Sequence, residues 1–335
     1  YLLTKIREQM SPDMPSFRLG KISIAPDLVD TPRSDLFAPE YVPPRGVSID
    51  LRKILRLTKN PEDGEFCIVP HDWQQIADNA RYIKKLVSIS QASPLIISNS
   101  GDKSPSIHLR KVVELRSFLH PWEKDTLEKI VVPYPTSARN FTLRAATSMP
   151  RISFMGYIPR PSIGTVFGNS PKAILHPIHS SVYLNRKLGV HKLLNLKRIA
   201  HVSVTSRSQF TLFNKNPNLE NQSQQFQSSL DESDYVLCPR GFGNTSMRIY
   251  ETLSSGATPI IIESGSPLPS YVRIPHSKII NLSLLKSWEE IITEDWRSLN
   301  EGSNYMRRQL ANLQLYRTQL NFESYIRILF SHFLL

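Results

Sequence analysis

Apolar residues along this chain occur at two spacings, and the two spacings follow one another in turn. Short unbroken apolar runs, "FCIVP", "PLIIS" and "KIVV", are typical of buried β-strands. Between the first two runs, the segment "QQIADNARYIKKLVSIS" places Ile76, Ala80 and Ile83 at helical spacing. Strands that alternate with helices indicate βαβ units, and βαβ units build a parallel sheet.

A second series of the same kind begins near residue 151. Its strand-like runs are "RISFM", "AHVSVTS", "DYVLCP" and "TPIIIES", and its helical segments are "NRKLGVHKLLNL" and "TSMRIYETLSSG". The polar tract "NKNPNLENQSQQ" has the composition of a surface loop. In the helix after "DYVLCP", Asn244 or Thr245 suits the N-cap, and Gly256 suits the left-handed residue beyond the C-cap.

The two series and a length of 335 residues predict an α/β chain with two domains. The first domain, residues 1–148, begins with an extended arm at 1–45 that is rich in proline and aspartate. The second domain covers residues 149–286. The remaining segment, 287–335, has a helical pattern without a strand signal, and we expect its helices to pack across the region between the domains.

The net charge of +12 and the pI of about 9.7 predict a surface that attracts polyanions. Basic residues are spread along the chain, with one local concentration in "RKLGVHKLLNLKRIAHVSVTSR" at 186–207. Neither a zinc-finger spacing nor a mixed aromatic and basic RNA-binding motif is present, so nucleic acid is not an expected partner. An anionic substrate, an acidic glycan or an anionic membrane surface remains in agreement with this charge.

The two cysteines, Cys67 and Cys238, lie in apolar runs, which predicts buried reduced thiols. A glycosylation sequon at Asn244 lies inside the glycine-rich loop, where a glycan would block any ligand. No uninterrupted apolar run of about 18 residues occurs. These features favour a cytoplasmic, bacterial-type protein that associates at most peripherally with membranes. A Golgi-lumen enzyme is the alternative if an N-terminal anchor has been removed.

The segment "DYVLCPRGFGNTSMRIYETLSSGATPIII" contains the candidate ligand-binding residues. Ligands of open parallel sheets bind at the carboxyl ends of the strands, where Gly241 and Gly243 let the backbone approach a ligand closely. Arg240 and Arg248 add planar guanidinium groups that suit phosphate oxygens, and the start of a helix favours anions. Glu251, one turn into the helix, suits two ribose hydroxyls. Together these residues predict a site for a nucleoside diphosphate.

Each of these residues also has a simpler interpretation. Arg240 and Arg248 could form surface ion pairs or cap a helix, and Glu251 could pair with Arg248 three residues before it on the helix. The pattern Gly241-x-Gly243-x-x-Ser246 approaches a dinucleotide-binding fingerprint but lacks its third glycine.

Residues 233–262 resemble the signature of the exostosin-type glycosyltransferases. That signature has a Leu-Cys-Pro-Arg-Gly turn, Ser-Phe-Arg with an aromatic residue and Glu-Ala-Leu, then glycine and an apolar strand that opens with proline. Here Met247 replaces the usual phenylalanine. Weaker similarity extends upstream through "ISFMGYIPR", "PLIISNSGD" and "FCIVPHDW".

The resemblance implies the GT-B architecture, two Rossmann-like domains with parallel sheets that face a central cleft. It also implies an inverting transfer from a nucleotide sugar, for which we expect a UDP-sugar, with Arg240 and Arg248 on the diphosphate and Glu251 on the ribose. Arg186 would approach the diphosphate from a facing loop. The full set of expected donor-binding residues is Gly156, Arg186, Arg240, Gly241, Gly243, Asn244, Thr245, Ser246, Arg248 and Glu251.

The expected catalytic base lies on a loop of the first domain. His71 and Asp72 follow "FCIVP", and Asp102 follows "PLIISNSG"; each is also a common turn or cap residue. No Asp-x-Asp motif is present, so we expect neither a metal nor another cofactor. His176 and His179 form "HPIH" without a matching third ligand.

Three functions remain open from the sequence. The first is a glycosyltransferase whose acceptor is a glycan or polysaccharide, with an acidic one favoured by the charge. The second is a non-catalytic exostosin-like partner subunit, since exostosin-type proteins can work in pairs. The third is an unrelated dinucleotide- or polyanion-binding α/β protein.

Overall fold

The fold was analysed in a computed structural model. It describes residues 22–24, 57–58, 66–69, 73, 77–78, 80–92, 94–99, 107–109, 111–117, 119, 123, 129–134, 136, 141–158, 160, 162, 181–207, 219–241, 245–263, 269, 272 and 279–334.

The first half of the chain forms a parallel sheet of six strands, in the order β2-β1-β3-β4-β5-β6. Helix α1 (Ala80–Ala92) lies between β3 and β4 in the chain, and its Leu86 is fully buried. The strands are β1 (Ile22–Ile24), β2 (Leu57–Thr58), β3 (Phe66–Ile68), β4 (Leu95–Ser98), β5 (Val112–Arg116) and β6 (Lys129–Val131).

The second half forms a parallel sheet of five strands, in the order β11-β10-β9-β7-β8. Its strands are β7 (Arg151–Tyr157), β8 (His201–Arg207), β9 (Tyr235–Cys238), β10 (Thr258–Ile262) and β11 (Ile280–Leu282). Its crossover helices are α2 (Val182–Leu194), which a 3₁₀ turn at Asn195–Arg198 extends, α3 (Leu219–Glu232) and α4 (Arg248–Ser254).

Both faces of the second sheet are buried, which explains the continuous apolar runs of its strands. Along β9, Tyr235 and Leu237 pack into the core on one face, with Trp288, while Val236 and Cys238 pack into the core on the other. This alternation follows from the two-residue period of a strand. The α/β class with two successive parallel sheets, which the sequence predicts, is confirmed.

The chain ends in helices α5 (Trp288–Leu299), α6 (Asn304–Leu315) and α7 (Phe322–Leu334), with a π-helical turn at Tyr316–Leu320. Two buried hydroxyls connect them to the end of the first sheet: Tyr316 donates to the Thr136 carbonyl (2.9 Å) and Tyr325 donates to the Val131 carbonyl (2.7 Å). The segment after residue 287 is mostly helical in the structure. The boundaries 1–148, 149–286 and 287–335 stay a prediction.

Three local expectations need correction. The tract "NKNPNLENQSQQ" is not wholly a loop, because α3 begins at Leu219 and buries Phe226 and Leu230 against the sheet. Two apolar anchors one turn apart outweigh the polar composition of the rest. Neither Asn244 nor Thr245 is the N-cap of α4: the N-cap is Met247, which has no side-chain cap. The segment expected to be an extended arm contributes strand β1.

Both cysteines are buried free thiols, as the sequence predicts. Burial raises the pKa of Cys238 to about 12, so this thiol stays protonated at neutral pH.

Among the helices that the structure describes, none combines the length and the apolar content that a bilayer crossing requires.

Gly256 occupies the left-handed position beyond α4, as expected, with φ +72°. A β-carbon there would lie 2.6 Å from Cε2 of Phe141. We therefore expect Gly256→Ala to lower the free energy of unfolding by roughly 2–4 kcal/mol, from the left-handed strain and the steric overlap together. Urea unfolding measures this loss.

The matched control is Gly302→Ala. Gly302 also has a positive φ, +60°, but a β-carbon there would meet nothing within 4 Å. Gly302→Ala should therefore lower the free energy of unfolding only through strain in the left-handed backbone, by about 1 kcal/mol. Equal losses for the two variants would show that the contact with Phe141 does not matter.

Candidate functional site

The candidate site lies where the strand order of the second sheet reverses. The chain runs from β7 outward to β8 and then returns past β7 to β9, so the connections after β7 and β9 diverge. This divergence opens a crevice at the carboxyl ends of the two strands, which is where open parallel sheets bind ligands. Gly156 lies near the end of β7, and the loop Pro239–Thr245 begins directly after β9.

Arg248, the first residue of α4, extends its guanidinium between two aromatic rings. Its Cζ atom lies 5.7 Å from the ring centre of Phe154 on β7 and 5.1 Å from that of Phe226 on α3. Both distances are in the range of cation–π attraction. The rings hold the guanidinium plane at the mouth of the crevice, so the direction in which its N–H groups point is set before a ligand binds.

The surroundings of Arg248 compensate its positive charge only in part. Burial lowers the pKa of the guanidinium, and the negative charge of Glu251 opposes this shift only in part. The Nε atom is buried and has no hydrogen-bond partner in the part of the chain that the structure describes. A buried donor without a partner is costly, and an anion in the crevice would satisfy it.

Gly156 makes room for this guanidinium. A β-carbon at this position would lie 2.9 Å from Nη1 of Arg248 and 3.2 Å from Cζ of Phe154. Real β-carbons almost never approach a neighbour so closely, so any side chain here would displace the arginine. The glycine is therefore needed for close packing rather than for an unusual backbone angle.

Glu251 lies in the first turn of α4 and is half-buried. No ion pair within 4.0 Å joins its carboxylate to Arg248, nor to any other cation of the described segments. The alternative of a helix salt bridge between Arg248 and Glu251 is therefore wrong. The carboxylate keeps its hydrogen-bond acceptors for another group at the crevice.

Arg240 is buried in the loop after β9, and neighbouring polar groups hold the loop backbone. The Arg240 N–H donates to Oδ1 of Asn185 (3.1 Å), and its Nε donates to the Gly241 carbonyl (3.2 Å). The Gly241 N–H donates to the Thr245 carbonyl (2.6 Å), which closes the loop on itself. These hydrogen bonds hold the backbone of Arg240 and Gly241 in place.

Arg186, on α2, contacts the same loop. Its Nε donates to the Arg240 carbonyl (2.9 Å) and its Nη1 donates to the Tyr157 carbonyl (2.6 Å). This guanidinium therefore joins the last residue of β7 to the loop after β9. Arg186 thus lies beside the loop after β9, and its role as a diphosphate ligand stays a prediction.

Of the other expected residues, Thr245 and Ser246 are buried at the start of α4. Because α4 has only seven residues, its dipole is a minor contribution and the guanidinium groups dominate the electrostatics. Gly243, Asn244, His71, Asp72, Asp102, His176 and His179 lie outside the described residues. Within the described segments, no group of three or more metal-ligating side chains occurs.

Three residues that position the arginines were not identified from the sequence: Phe154, Phe226 and Asn185. Phe226 offered a signal, because it is a lone aromatic residue in a polar tract. Asn185 offered no such signal, because its contact with the loop becomes visible only once α2 is placed beside that loop.

A separate polar cleft of about 760 Å³ lies beside α3, between Gln225, Ser203 and Thr205, and contains none of the expected donor-binding residues.

Comparison with known proteins matches residues 163–325 to a family model, the RXYLT1 C-terminal domain. No curated protein matches the chain.

Among solved structures, TarM is similar over 76% of this chain and 57% of its own, with 10% identity and a TM-score of 0.37. The glycotransferase of kitacinnamycin is similar over 81% of this chain and 70% of its own, with 11% identity and a TM-score of 0.30. The GtfA/B complex is similar over 80% and 57%, with 9% identity and a TM-score of 0.36. The chain thus spans less than two thirds of TarM and of the matched GtfA/B chain.

The matched family segment contains α2, α3, α4 and the loop after β9, and hence Arg186, Arg240, Arg248 and Glu251. The match of residues 163–325 to the RXYLT1 C-terminal domain, the model of an exostosin-like xylosyltransferase family, confirms the resemblance to exostosin-type glycosyltransferases.

Proposed function

We propose that this protein is a glycosyltransferase that moves a sugar from a nucleoside-diphosphate donor, a UDP-sugar, to a hydroxyl of a glycan. The observation that carries the proposal is the guanidinium of Arg248, held between Phe154 and Phe226 with its buried Nε unpaired in the described segments. A planar cation at the switch point of a parallel sheet suits a diphosphate, because its parallel N–H groups match phosphate oxygens.

Arg240 and Glu251 give the site two further functions. Arg240 lies on the loop after β9, so its charge can add to that of Arg248 at the diphosphate. The Glu251 carboxylate lies one helical turn beyond Arg248 without a salt-bridge partner in the described segments, and it can accept hydrogen bonds from the two ribose hydroxyls.

The proposed reaction is a direct displacement with inversion at the anomeric carbon. The acceptor oxygen forms a bond to C1 of the donor sugar, and the bond from C1 to the diphosphate oxygen breaks with its electron pair. The acceptor proton passes to a base, for which Asp102, His71 and Asp72 are the candidates. Negative charge grows on the leaving diphosphate, so cations already aimed at it stabilise the transition state.

Metal independence is part of the proposal. Two guanidinium groups beside one diphosphate can balance most of its charge, so a divalent cation is not required for binding. UDP affinity measured with magnesium and with a chelator should therefore differ little. A strong requirement for the cation would contradict this part and leave the donor site itself in place.

The test of the donor site is ligand-induced stabilisation. A ligand that binds only the folded state raises the melting temperature, so UDP should raise it and NAD should not. Glu251→Ala should weaken UDP binding about 10- to 100-fold, since hydrogen bonds to a charged group are lost. Calorimetric titration measures the affinity.

The matched control is Glu290→Ala. This exposed glutamate also lies in the first turn of a helix, α5, and its removal should leave UDP affinity unchanged. Stabilisation by NAD alone would contradict the donor-site assignment. Binding of UDP with no release of UDP from any UDP-sugar would instead favour a non-catalytic partner subunit.

We propose only the chemical class of the acceptor. A net charge of +12 favours an acidic glycan, or an acceptor presented at an anionic membrane. Association with a second glycosyltransferase is compatible with either.

A further inference from the structure

Three leucines are exposed on one side of the second sheet. Leu285, in the loop between β11 and α5, is 83% exposed; Leu188 and Leu194, on α2, are 41% and 36% exposed. Single exposed apolar residues are ordinary on protein surfaces. A nearly bare leucine at a loop tip beside two others is a candidate contact surface.

Basic residues accompany these leucines. Five of them occur in α2, in the 3₁₀ turn after it and in the loop that carries Leu285, and two glutamates, Glu289 and Glu290, begin α5. Arg198 already pairs with Glu289 (2.9 Å between Nη2 and Oε2). The basic residues are Lys187, Lys192, Lys197, Arg198 and Lys286.

Two contacts join the elements that carry these residues. Lys192 Nζ donates to the Lys286 carbonyl (2.9 Å), which joins α2 to the loop that carries Leu285. The Arg198–Glu289 pair joins the 3₁₀ turn after α2 to the start of α5. We call the surface formed by the exposed side of α2, the turn Asn195–Arg198 and the loop 283–287 the basic face.

The mixture of side chains distinguishes between partners. An acidic polysaccharide would pair with the cations but would leave the leucines in water. A second copy of the chain would bring two basic faces together, and their charges would repel. An anionic lipid surface fits both features, because its headgroups attract lysine and arginine and its acyl boundary accepts leucine.

We infer that the basic face docks the protein on an anionic lipid membrane, with Leu285 entering the interfacial region. This inference is independent of the donor site. It has one consequence for that site: Arg186, which supports the loop after β9, lies on the same helix as the basic face, so docking places the crevice close to the bilayer.

Vesicle co-sedimentation tests the role of Leu285. The protein should bind phosphatidylcholine vesicles that contain phosphatidylserine, and bind pure phosphatidylcholine vesicles much more weakly. Leu285→Ser should reduce binding to the anionic vesicles several-fold. The control Leu310→Ser changes another exposed leucine, 48% exposed on α6, and should not. Equal losses in the two variants would overturn the assignment of the face.

A charge-reversal pair tests the cations. The double variant K192E/K286E should reduce binding to anionic vesicles at least about tenfold, since each basic residue near such a surface contributes about fivefold. The control K84E/R307E makes the same change in net charge at exposed positions on α1 and α6. If both double variants lose binding equally, only net charge acts and the basic face is not a docking site.

Two further measurements check that the Leu285 variant is folded and that the partner is a membrane rather than a polysaccharide. Thermal unfolding should be the same for wild type and Leu285→Ser, since this side chain is almost fully exposed. Soluble heparin serves as the probe for an acidic polysaccharide. If heparin binding depends on Leu285 while vesicle binding does not, the membrane assignment is overturned.

Discussion

Replacing Arg248 with methionine is expected to abolish measurable UDP binding and to leave the folded protein at least as stable as before. The guanidinium is buried between Phe154 and Phe226, its pKa is lowered by that burial, and its Nε has no hydrogen-bond partner in the described segments. Methionine keeps an unbranched apolar chain against the same rings, and it removes a charge that is costly to desolvate.

The expected functional loss is large. A preorganised donor at a leaving group contributes on the order of 10²–10³ in rate, about 3–4 kcal/mol of transition-state stabilisation. The ratio kcat/KM for UDP-sugar turnover should decrease by this factor, and calorimetry should detect no binding of UDP. The melting temperature, measured without ligand, should stay equal or increase.

The control is Arg308→Met. The Arg308 guanidinium is also partly buried, but its Nη2 pairs with Oδ1 of Asp295 at 3.0 Å. Its loss should lower stability and leave UDP affinity intact. The opposite pattern, in which Arg248→Met unfolds the protein and retains UDP binding, would make Arg248 a structural residue and remove the basis for the donor site.

Asp234→Ala is expected to lower the free energy of unfolding by about 3–5 kcal/mol, more than the loss expected for Gly256→Ala. Its side chain is 2% exposed and accepts hydrogen bonds from the Arg151 N–H (2.7 Å), from Arg151 Nη2 (2.8 Å) and from the Tyr305 hydroxyl. Without the carboxylate, these donors and the nearby buried Arg144 lose their negative partner.

Urea unfolding measures the loss, with Asp231→Ala as control. Asp231 lies near the end of α3 and its side chain is exposed, so its removal should change stability by less than about 0.5 kcal/mol. Asp234 precedes β9, at the edge of the sheet opposite the crevice. Its variant should therefore retain UDP affinity at temperatures where it is folded. Similar losses for both aspartates would show that the buried network contributes little.

The sequence predicts the parts of the fold that follow from local pattern. Continuous apolar runs are visible in β9 and β10 because both faces of those strands are buried, and Gly256 is visible because few other residues tolerate its backbone angle. Helix α3 is missed because its two anchors, Phe226 and Leu230, are too few to outweigh its polar composition. Its stability comes from the sheet beneath it, which is a tertiary effect.

The candidate site, too, is only partly predictable from the sequence. Arg240, Arg248 and Glu251 are identifiable because charged side chains next to glycines after a strand indicate a ligand. The orientation of their side chains cannot be read from the sequence, because Phe154 lies 94 positions before Arg248 and Phe226 lies on another helix. The absence of an ion pair between Arg248 and Glu251 also depends on rotamers that the rings impose.

The hydroxyls of Tyr316 and Tyr325 have a consequence for how the chain acquires its structure. They satisfy carbonyls of Thr136 and Val131, which are 180 and 194 positions earlier in the chain. Contacts of such separation form late, because the entropy of closing so long a loop must first be overcome. During synthesis, the end of the first sheet therefore stays incomplete until the last helices emerge. A chain that stops before Tyr316 would leave both carbonyls without these partners, and the first sheet would depend on the second half of the protein for its own completion.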